Sequence, residues 1–207
     1  ESGKNVFVEK PLCLTLKELE KIKNKYQKVE KNNSKVPILM VGFNRRFSPL
    51  IKQLKTNLDK LNNPKSFIYT CNVGLINNDN WIHNPKVGGG RLIGEACHFV
   101  DLLRFLADSE IINLEIIYTP ESKYLSDNFI LQIRFKDGSI GSINYFKNGN
   151  KSYPKERLEV FCGGTIQRID NFRKLKVWGS NKFRNIRLIR QDKGQLNCIK
   201  EFINSVK

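Results

Sequence analysis

The sequence of 207 residues contains no CxxC pair and no cysteine–histidine spacing suited to a structural metal, and its cysteines are odd in number. Cys13, Cys71, Cys97, Cys162 and Cys198 are scattered, four of them inside apolar or alternating segments. This argues against a disulfide framework or a zinc module and for reduced, mostly buried thiols in a cytoplasmic protein; no metal is expected. No apolar run approaches the roughly 18–20 residues of a membrane span, and the opening residues show no secretory pattern, so no membrane partner is expected. There is no internal repeat and no low-complexity linker. The hydrophobic content of 40% is that of a globular protein, which argues against wholesale disorder.

Basic charge is abundant, at a formal +16. A nucleic-acid partner would account for it, but the distribution does not suit one. The lysines are spread along the chain and interleaved with asparagine. There is no arginine-rich arm, no zinc finger and no row of aromatics on a basic sheet. Scattered lysines of this kind are solvated faces, and no specific nucleic-acid binding is expected.

The chain opens on ESGKNVFVEKPL, which reads as the middle of a domain, so the expectation is a chain whose first domain is missing. Asn5–Val8 reads as a short strand ending at Glu9-Lys10-Pro11. Thr15 and Glu18 form a capping box for a first helix carrying Leu16, Leu19, Ile22, Tyr26 and Val29 at helical spacing. A polar loop over Lys31–Lys35 precedes Val36–Val41, an apolar strand of the kind buried on both faces. Ser48 and Pro49 supply an N-cap and a first-turn proline for a second helix carrying Leu50, Leu54, Leu58 and Leu61. A strand over Ser66–Val73 and a polar loop holding Trp81 and His83 lead to Gly88–Gly90 and a third helix over about Leu92–Ala107.

Strands follow at Leu114–Thr119, Phe129–Phe135, Ile140–Phe146, Arg157–Cys162, Thr165–Asp170 and Leu175–Trp178. Asp137-Gly138 is a tight turn between the second and third of these. A last helix covers about Gln195–Val206. Helices segregated from a run of antiparallel strands define an α+β fold, an open mixed, largely antiparallel β-sheet with helices packed on one face. The sheet's other face needs cover, which predicts a homo-oligomer formed through it.

The third helix is apolar almost all round, yet Glu95, His98, Asp101 and Arg104 recur on it at three-residue steps. One reading is an internal ion-pair ladder that positions a buried helix. The other is chemical. The glycines before the helix allow a ligand or another backbone to come close, and a histidine flanked by carboxylates is a proton acceptor tunable near neutral pH. Glu9-Lys10-Pro11 at a strand end and Gly42–Phe47 with its arginine pair are further candidates, each ambiguous alone.

Taken in order, strand–Glu-Lys-Pro, VGFNRRFSP and the block from GGG through GEACHFVDLLRFL resemble the Gfo/Idh/MocA oxidoreductases over essentially the whole chain. GEACHFVDL particularly resembles the subgroup fused behind a zinc-type alcohol-dehydrogenase-like domain in bacterial surface-polysaccharide loci. The resemblance implies a glyceraldehyde-3-phosphate-dehydrogenase-like C-terminal domain. Residues 1–12 would be the tail end of an absent Rossmann domain, and 13–207 the substrate-binding and oligomerisation domain. It further implies an NAD- or NADP-dependent enzyme acting on a secondary alcohol of a sugar or sugar nucleotide.

Lys10 matches the family lysine between nicotinamide and substrate. Glu9 and Pro11 shape its turn beside the cofactor, with a Lys10–Pro11 bond that is often cis in relatives. His98 matches the general acid/base, and Asp101 a supporting helix acid. Glu95, Asp101, Asn44, Arg46, Trp81 and His83 are candidates for the substrate wall, the last four reading equally well as structural residues.

Two departures stand out. Many relatives carry an aspartate four residues before the histidine, where this chain has Gly94, with Glu95 one step on. The glycine-rich GxGxxG turn that holds the dinucleotide in relatives is absent, and Gly88–Gly90 does not replace it. The expectation is that this chain alone does not turn over. The alternative reading, supported by Gly94, is a non-catalytic scaffold or sugar-sensing dimerisation module.

Overall fold

A computed structural model describes residues 3–32, 36–74, 88–119 and 127–207. The chain begins with a β–α–β unit: β1 (Val6–Val8), α1 (Leu16–Asn32) and β2 (Leu39–Val41), the two strands pairing in parallel as a separate sheet. The capping box of α1 forms as expected. The Glu18 N–H donates to Thr15 Oγ1 at 3.2 Å and the Thr15 N–H returns to Glu18 Oε2 at 3.1 Å. β2 differs from expectation, being three residues long and half-buried rather than a six-residue strand covered on both faces. Its only described partner strand is β1, itself three residues long, so the ladder ends where β1 ends.

A single 3₁₀ turn, Asn44–Phe47, leads into α2 (Pro49–Asp59). Pro49 occupies the first turn as the sequence suggests, but Ser48 does not cap with its side chain. Its hydroxyl donates instead to the Asp192 carbonyl at 2.8 Å. Ser48 is fully buried, and a carbonyl left unpaired there would cost more than a cap bond gains.

The remaining strands, β3 (Ser66–Asn72), β4 (Ile111–Tyr118), β5 (Phe129–Phe135), β6 (Ile140–Phe146), β7 (Glu156–Cys162), β8 (Thr165–Asp170), β9 (Lys174–Trp178) and β10 (Ile186–Arg187), form one eight-stranded sheet. Its order is β10-β9-β8-β7-β3-β6-β5-β4, and among the described residues only its β3–β6 pair is parallel. The alternation read from the sequence sets the register. Phe129, Leu131, Ile133 and Phe135 of β5 are buried while Gln132 and Arg134 face out, as the two-residue period of a strand requires. Gly138, at φ +89°, turns β5 into β6. β10, only two residues long, carries no periodic signal and escapes sequence reading.

The buried face of the sheet receives α2 and α3 (Cys97–Ala107). Leu54, Leu58, Phe99, Leu102, Leu103 and Leu106 interleave with Phe67, Tyr69, Ile143 and Val160, each burial contributing about 1.5–3 kcal/mol. Gly141 on β6 makes the contact possible: a Cβ there would stand 3.1 Å from Leu103 Cδ1. α4 (Gln195–Val206) closes the chain, with Phe202 meeting Phe7 of β1 edge-on at 5.6 Å. Among the described residues no helix is long and apolar enough to cross a membrane.

Candidate active site

Lys10 sits just past β1, on a turn whose Lys10–Pro11 bond is cis. The turn is held against the end of β2, where the Gly42 N–H donates to the Val8 carbonyl at 2.8 Å. Gly42 must be small: a Cβ would stand 3.1 Å from Phe7 Cζ and 3.3 Å from Glu9 Oε2. Opposite lies the start of the third helix, where Leu92–Ala96 form a π-helical turn that leads into α3. Gly89 before it and Gly94 within it stand where other atoms of the chain come close, a side chain at the one and a backbone carbonyl at the other. A Cβ on Gly89 would meet Leu14 at 2.8 Å, and one on Gly94 would meet the Gly88 carbonyl at 2.9 Å. Gly94 is therefore a steric requirement of this turn.

The two elements converge on one another. Lys10 Nζ donates to the Gly94 carbonyl at 2.6 Å and to Glu95 Oε1 at 3.3 Å. With His98, Glu9, Asn44, Arg45 and Lys193 they line a polar cavity of about 330 Å³. His98 is 7% exposed and packs edge-on to Phe43, and its Nδ1 is buried with no hydrogen-bond partner among the described residues. Burial, reinforced by the nearby cations Arg45 and Lys10, pushes its pKa down to about 2. The imidazole is therefore neutral. The expectation of a histidine poised near neutrality by flanking carboxylates is corrected: Glu95 has turned to Lys10 and Asp101 to Arg46, so the charges facing His98 are mainly positive.

The polar stripe on the third helix is thus not an internal ladder. Its acids pair with other elements, and Arg104 is exposed. Arg46 grips Asp101 with two nitrogens, Nε–Oδ2 at 2.6 Å and a second contact from Nη2 to Oδ1. Neither residue lines the polar cavity. Asn44 does, but its amide donates to the Lys193 carbonyl at 2.7 Å and clamps the loop before α4. Trp81 and His83 lie outside the described residues.

Sequence reasoning missed the group behind His98. Arg45 Nε donates to Glu156 Oε2 at 2.9 Å, Tyr69 donates to the same oxygen at 2.5 Å, and Lys193 donates to Glu156 Oε1. The Arg45 guanidinium lies over the rings of Phe99 and Phe172, 5.1 and 5.8 Å from their centroids. Burial alone would raise the Glu156 carboxyl, but Arg45 and Lys193 more than offset it and hold its pKa at about 2. The arginine pair was a visible signal for Arg45. Glu156 opens a strand and Lys193 sits in a loop, and neither follows a local pattern.

A larger apolar cavity, about 510 Å³, lies beyond Pro11 against Phe43, Cys97, Val100 and Leu131. Its one carboxylate, Asp101, is already committed to Arg46, and Lys10, Glu95 and His98 line the smaller polar cavity instead.

Comparison with known proteins agrees with this fold. The chain is 27% identical over 190 residues to a myo-inositol 2-dehydrogenase of Thermotoga maritima, spanning 86% of this chain and 52% of that protein. It is 30% identical over 152 residues to a scyllo-inositol 2-dehydrogenase (NAD(+)) of Bacillus subtilis, over 69% of this chain and 42% of the relative. The chain thus spans about half the length of the curated relatives it matches. Among solved structures it superposes on a UDP-N-acetylglucosamine 3-dehydrogenase from Acidithiobacillus ferrooxidans with a TM-score of 0.76 at 15% identity, covering 98% of this chain and 61% of that one. A levoglucosan dehydrogenase in complex with NADH gives 0.72 at 22% identity, over 93% and 57%. At these identities the structures establish a shared fold. The model of the GFO/IDH/MocA C-terminal domain family matches residues 62–165, half of the chain, and the chain therefore belongs to the GFO/IDH/MocA oxidoreductase family.

Proposed function

We propose that the protein carrying this chain transfers hydride between a secondary alcohol of a sugar or sugar nucleotide and NAD or NADP, with Lys10 and His98 bracketing the reacting carbinol. The observation that carries this reading is the polar cavity. It brings Lys10 to Gly94 and Glu95 across 84 and 85 positions of the chain, and places His98 on the same mostly polar cavity. Titratable groups gathered in a concave site from distant segments are the usual mark of chemistry. Relatives named as inositol dehydrogenases support a polyhydroxylated ring as substrate.

The described residues fit the reacting end of a nicotinamide dinucleotide. Lys10 presents an ammonium to the cavity from a turn shaped by Glu9 and Pro11, and His98 offers a neutral ring. The pyrophosphate finds no glycine-rich strand-to-helix turn here, so a nucleotide-binding domain must supply its grip. When bound, the dinucleotide supplies the hydride acceptor or donor. Lys10 holds the substrate hydroxyl, His98 fixes its direction, and the walls of Phe43 and Phe99 keep bulk water from the ring side of the site.

The finer parts of the reading follow from the same kinship. The short edge of β1–β2 and the exposed Leu196, Ile199 and Ile203 of α4, the second of which lines the cavity, offer a surface for the nucleotide-binding domain. A second copy covers the open sheet face, where Ile68, Ile140, Phe161, Ile166 and Trp178 stand exposed. A zinc-type alcohol-dehydrogenase-like module and a role in surface-polysaccharide synthesis in the cytoplasm complete the proposal.

The test uses the full-length protein. Bound nicotinamide is sought by native mass spectrometry, and its reduction is followed across inositols, sugars and sugar nucleotides, with Lys10→Ala alongside. Cofactor reduction by a member of the panel, cut about 100- to 10,000-fold in the variant, is the expected result. Bound cofactor with a silent panel would move the protein to the scaffold reading.

A further inference from the structure

Sugars reach an enzyme both as neutral polyols and as acids, and the charges around the polar cavity bear on which of the two it accepts. We propose that the cavity is matched to a sugar ring that carries no charge of its own, and that Glu9 and Lys193 set this preference. A neutral polyol enters, and the same ring bearing a carboxylate is refused. The proposal rests on the dehydrogenase reading above and narrows its substrate class.

The charges around the cavity are balanced and already paired. Lys10, Arg45, Lys193, Glu9 and Glu95 line it, and Glu156 lies directly behind, so three cations face three carboxylates among the described residues. Every one of the cations is engaged. Lys10 Nζ stands 3.3 Å from Glu95 Oε1. Arg45 Nε meets one oxygen of Glu156 at 2.9 Å, and Lys193 Nζ meets the other. The one charged side chain on the lining with no ion-pair partner among the described residues is an acid, the exposed Glu9.

A ligand carboxylate is recognised by a cation free to turn toward it, best through two nitrogens of a guanidinium. The Nε edge of Arg45 is closed to that grip by Glu156. Drawing Arg45 or Lys193 away would strand the buried Glu156 carboxylate, and drawing Lys10 away would release Glu95. The incoming anion would also meet Glu9, a like charge. Hydroxyls make no such demand, because each both donates and accepts. They can accept from Lys193, whose ammonium has donors beyond the one given to Glu156, while donating to Glu9 or Glu95, and no ion pair breaks.

Two features fix the determinants in place. Asn44 holds the Lys193 carbonyl at 2.7 Å, which sets where that side chain leaves the loop before α4. Gly42 leaves room for Glu9, since a Cβ there would stand 3.3 Å from Glu9 Oε2. The cavity's 330 Å³ lies near the lower end of small-molecule sites, about 300–1,000 Å³, which suits one ring rather than a whole sugar nucleotide. Any nucleotide on the substrate therefore stays outside, and the charge that is read is that of the ring.

The experiment uses the full-length protein as wild type, Glu9→Gln and Lys193→Gln. Nicotinamide reduction is followed with matched pairs: glucose and glucuronate, galactose and galacturonate, UDP-glucose and UDP-glucuronate, myo-inositol and its 1-phosphate. The readout is the ratio of kcat/KM for the neutral ring to that for its anionic partner. A merely structural defect lowers both members alike and leaves this ratio unmoved. Wild type is expected to favour the neutral ring by at least about 100-fold. Glu9→Gln should lower the ratio about tenfold and Lys193→Gln should raise it by a similar factor, because they remove opposite charges. A wild type that oxidises the acid as well as its neutral partner overturns the proposal. So does a ratio that both variants leave unchanged or move in the same direction. In either case the dehydrogenase reading stands, whereas a wild type that reduces no cofactor with any member of any pair overturns that reading itself.

Discussion

Arg45 and Glu156, 111 positions apart, meet at 2.9 Å beneath the candidate site, and Glu156 is 2% exposed. One carboxylate thus serves two cations, Arg45 and Lys193, together with the Tyr69 hydroxyl. Removing its charge leaves both cations uncompensated in a desolvated place. Glu156→Gln is expected to cost about 3–5 kcal/mol in urea unfolding. Tyr69→Phe removes one hydrogen bond and is expected to cost about 1–3 kcal/mol. Equal, small losses for the two would show that the carboxylate is not the centre of the cluster.

Stability should fall on mild acidification, with a sign set by His98. Its folded pKa lies far below the ordinary histidine value of about 6.5, at about 2, so the unfolded chain takes up a proton first. The contribution is complete above pH 6.5 and declines by roughly 1.4 kcal/mol per unit as pH falls below it. Glu156 adds a second loss lower down, from the ordinary glutamate value of about 4.5 toward about 2. Unfolding free energies between pH 7.5 and about 5 in wild type and His98→Asn check this; the variant should lose most of the slope.

The glycines that allow close approach rank in a predictable order. Gly94→Ala places a Cβ 2.9 Å from the Gly88 carbonyl and should cost about 1–3 kcal/mol while disturbing the acceptor of Lys10. Gly194→Ala should cost more. Its Cβ would overlap the Asn44 carbonyl and the Ser48 nitrogen, at a residue with φ +84°. Thermal or urea midpoints measured side by side give the ranking.

The Arg46–Asp101 pair is expected to separate stability from chemistry. Asp101 is 8% exposed, and Asp101→Asn leaves the Arg46 fork without its countercharge at a loss of about 3–5 kcal/mol. Since neither residue lines the polar cavity, activity per folded molecule should fall far less than in Lys10→Ala. A comparable fall in both would bring Asp101 back to the reacting centre.

Much of the molecule can be read locally. The strands at 129–135, 140–146 and 165–170 and the helix at 195–206 match their two-residue and helical periods to the residue. Each buries one face, and the burial pattern is written in the order of side chains. The capping box at Thr15 and Glu18 is equally local. The same reading failed at Val36–Val41, where an apolar run was taken for a strand buried on both faces. Burial there depends on neighbours in space, and β1 extends the pairing to only three residues.

Composition, periodicity and capping signals by themselves determined the α+β class, most element positions and the polar stripe of Glu95 and His98, because those depend on near neighbours along the chain, whereas Lys10 stood out through the order of motifs that resembles the family. Only the tertiary structure decided which acid meets which base. Glu95 could pair within its helix or with Lys10, Asp101 within its helix or with Arg46, and the choice follows from a π-helical turn and a glycine pressed against a backbone carbonyl. The state of His98 was decided the same way: its charge depends on burial and on Arg45, Lys10 and Lys193, which come from distant segments and which no spacing around residue 98 foretells.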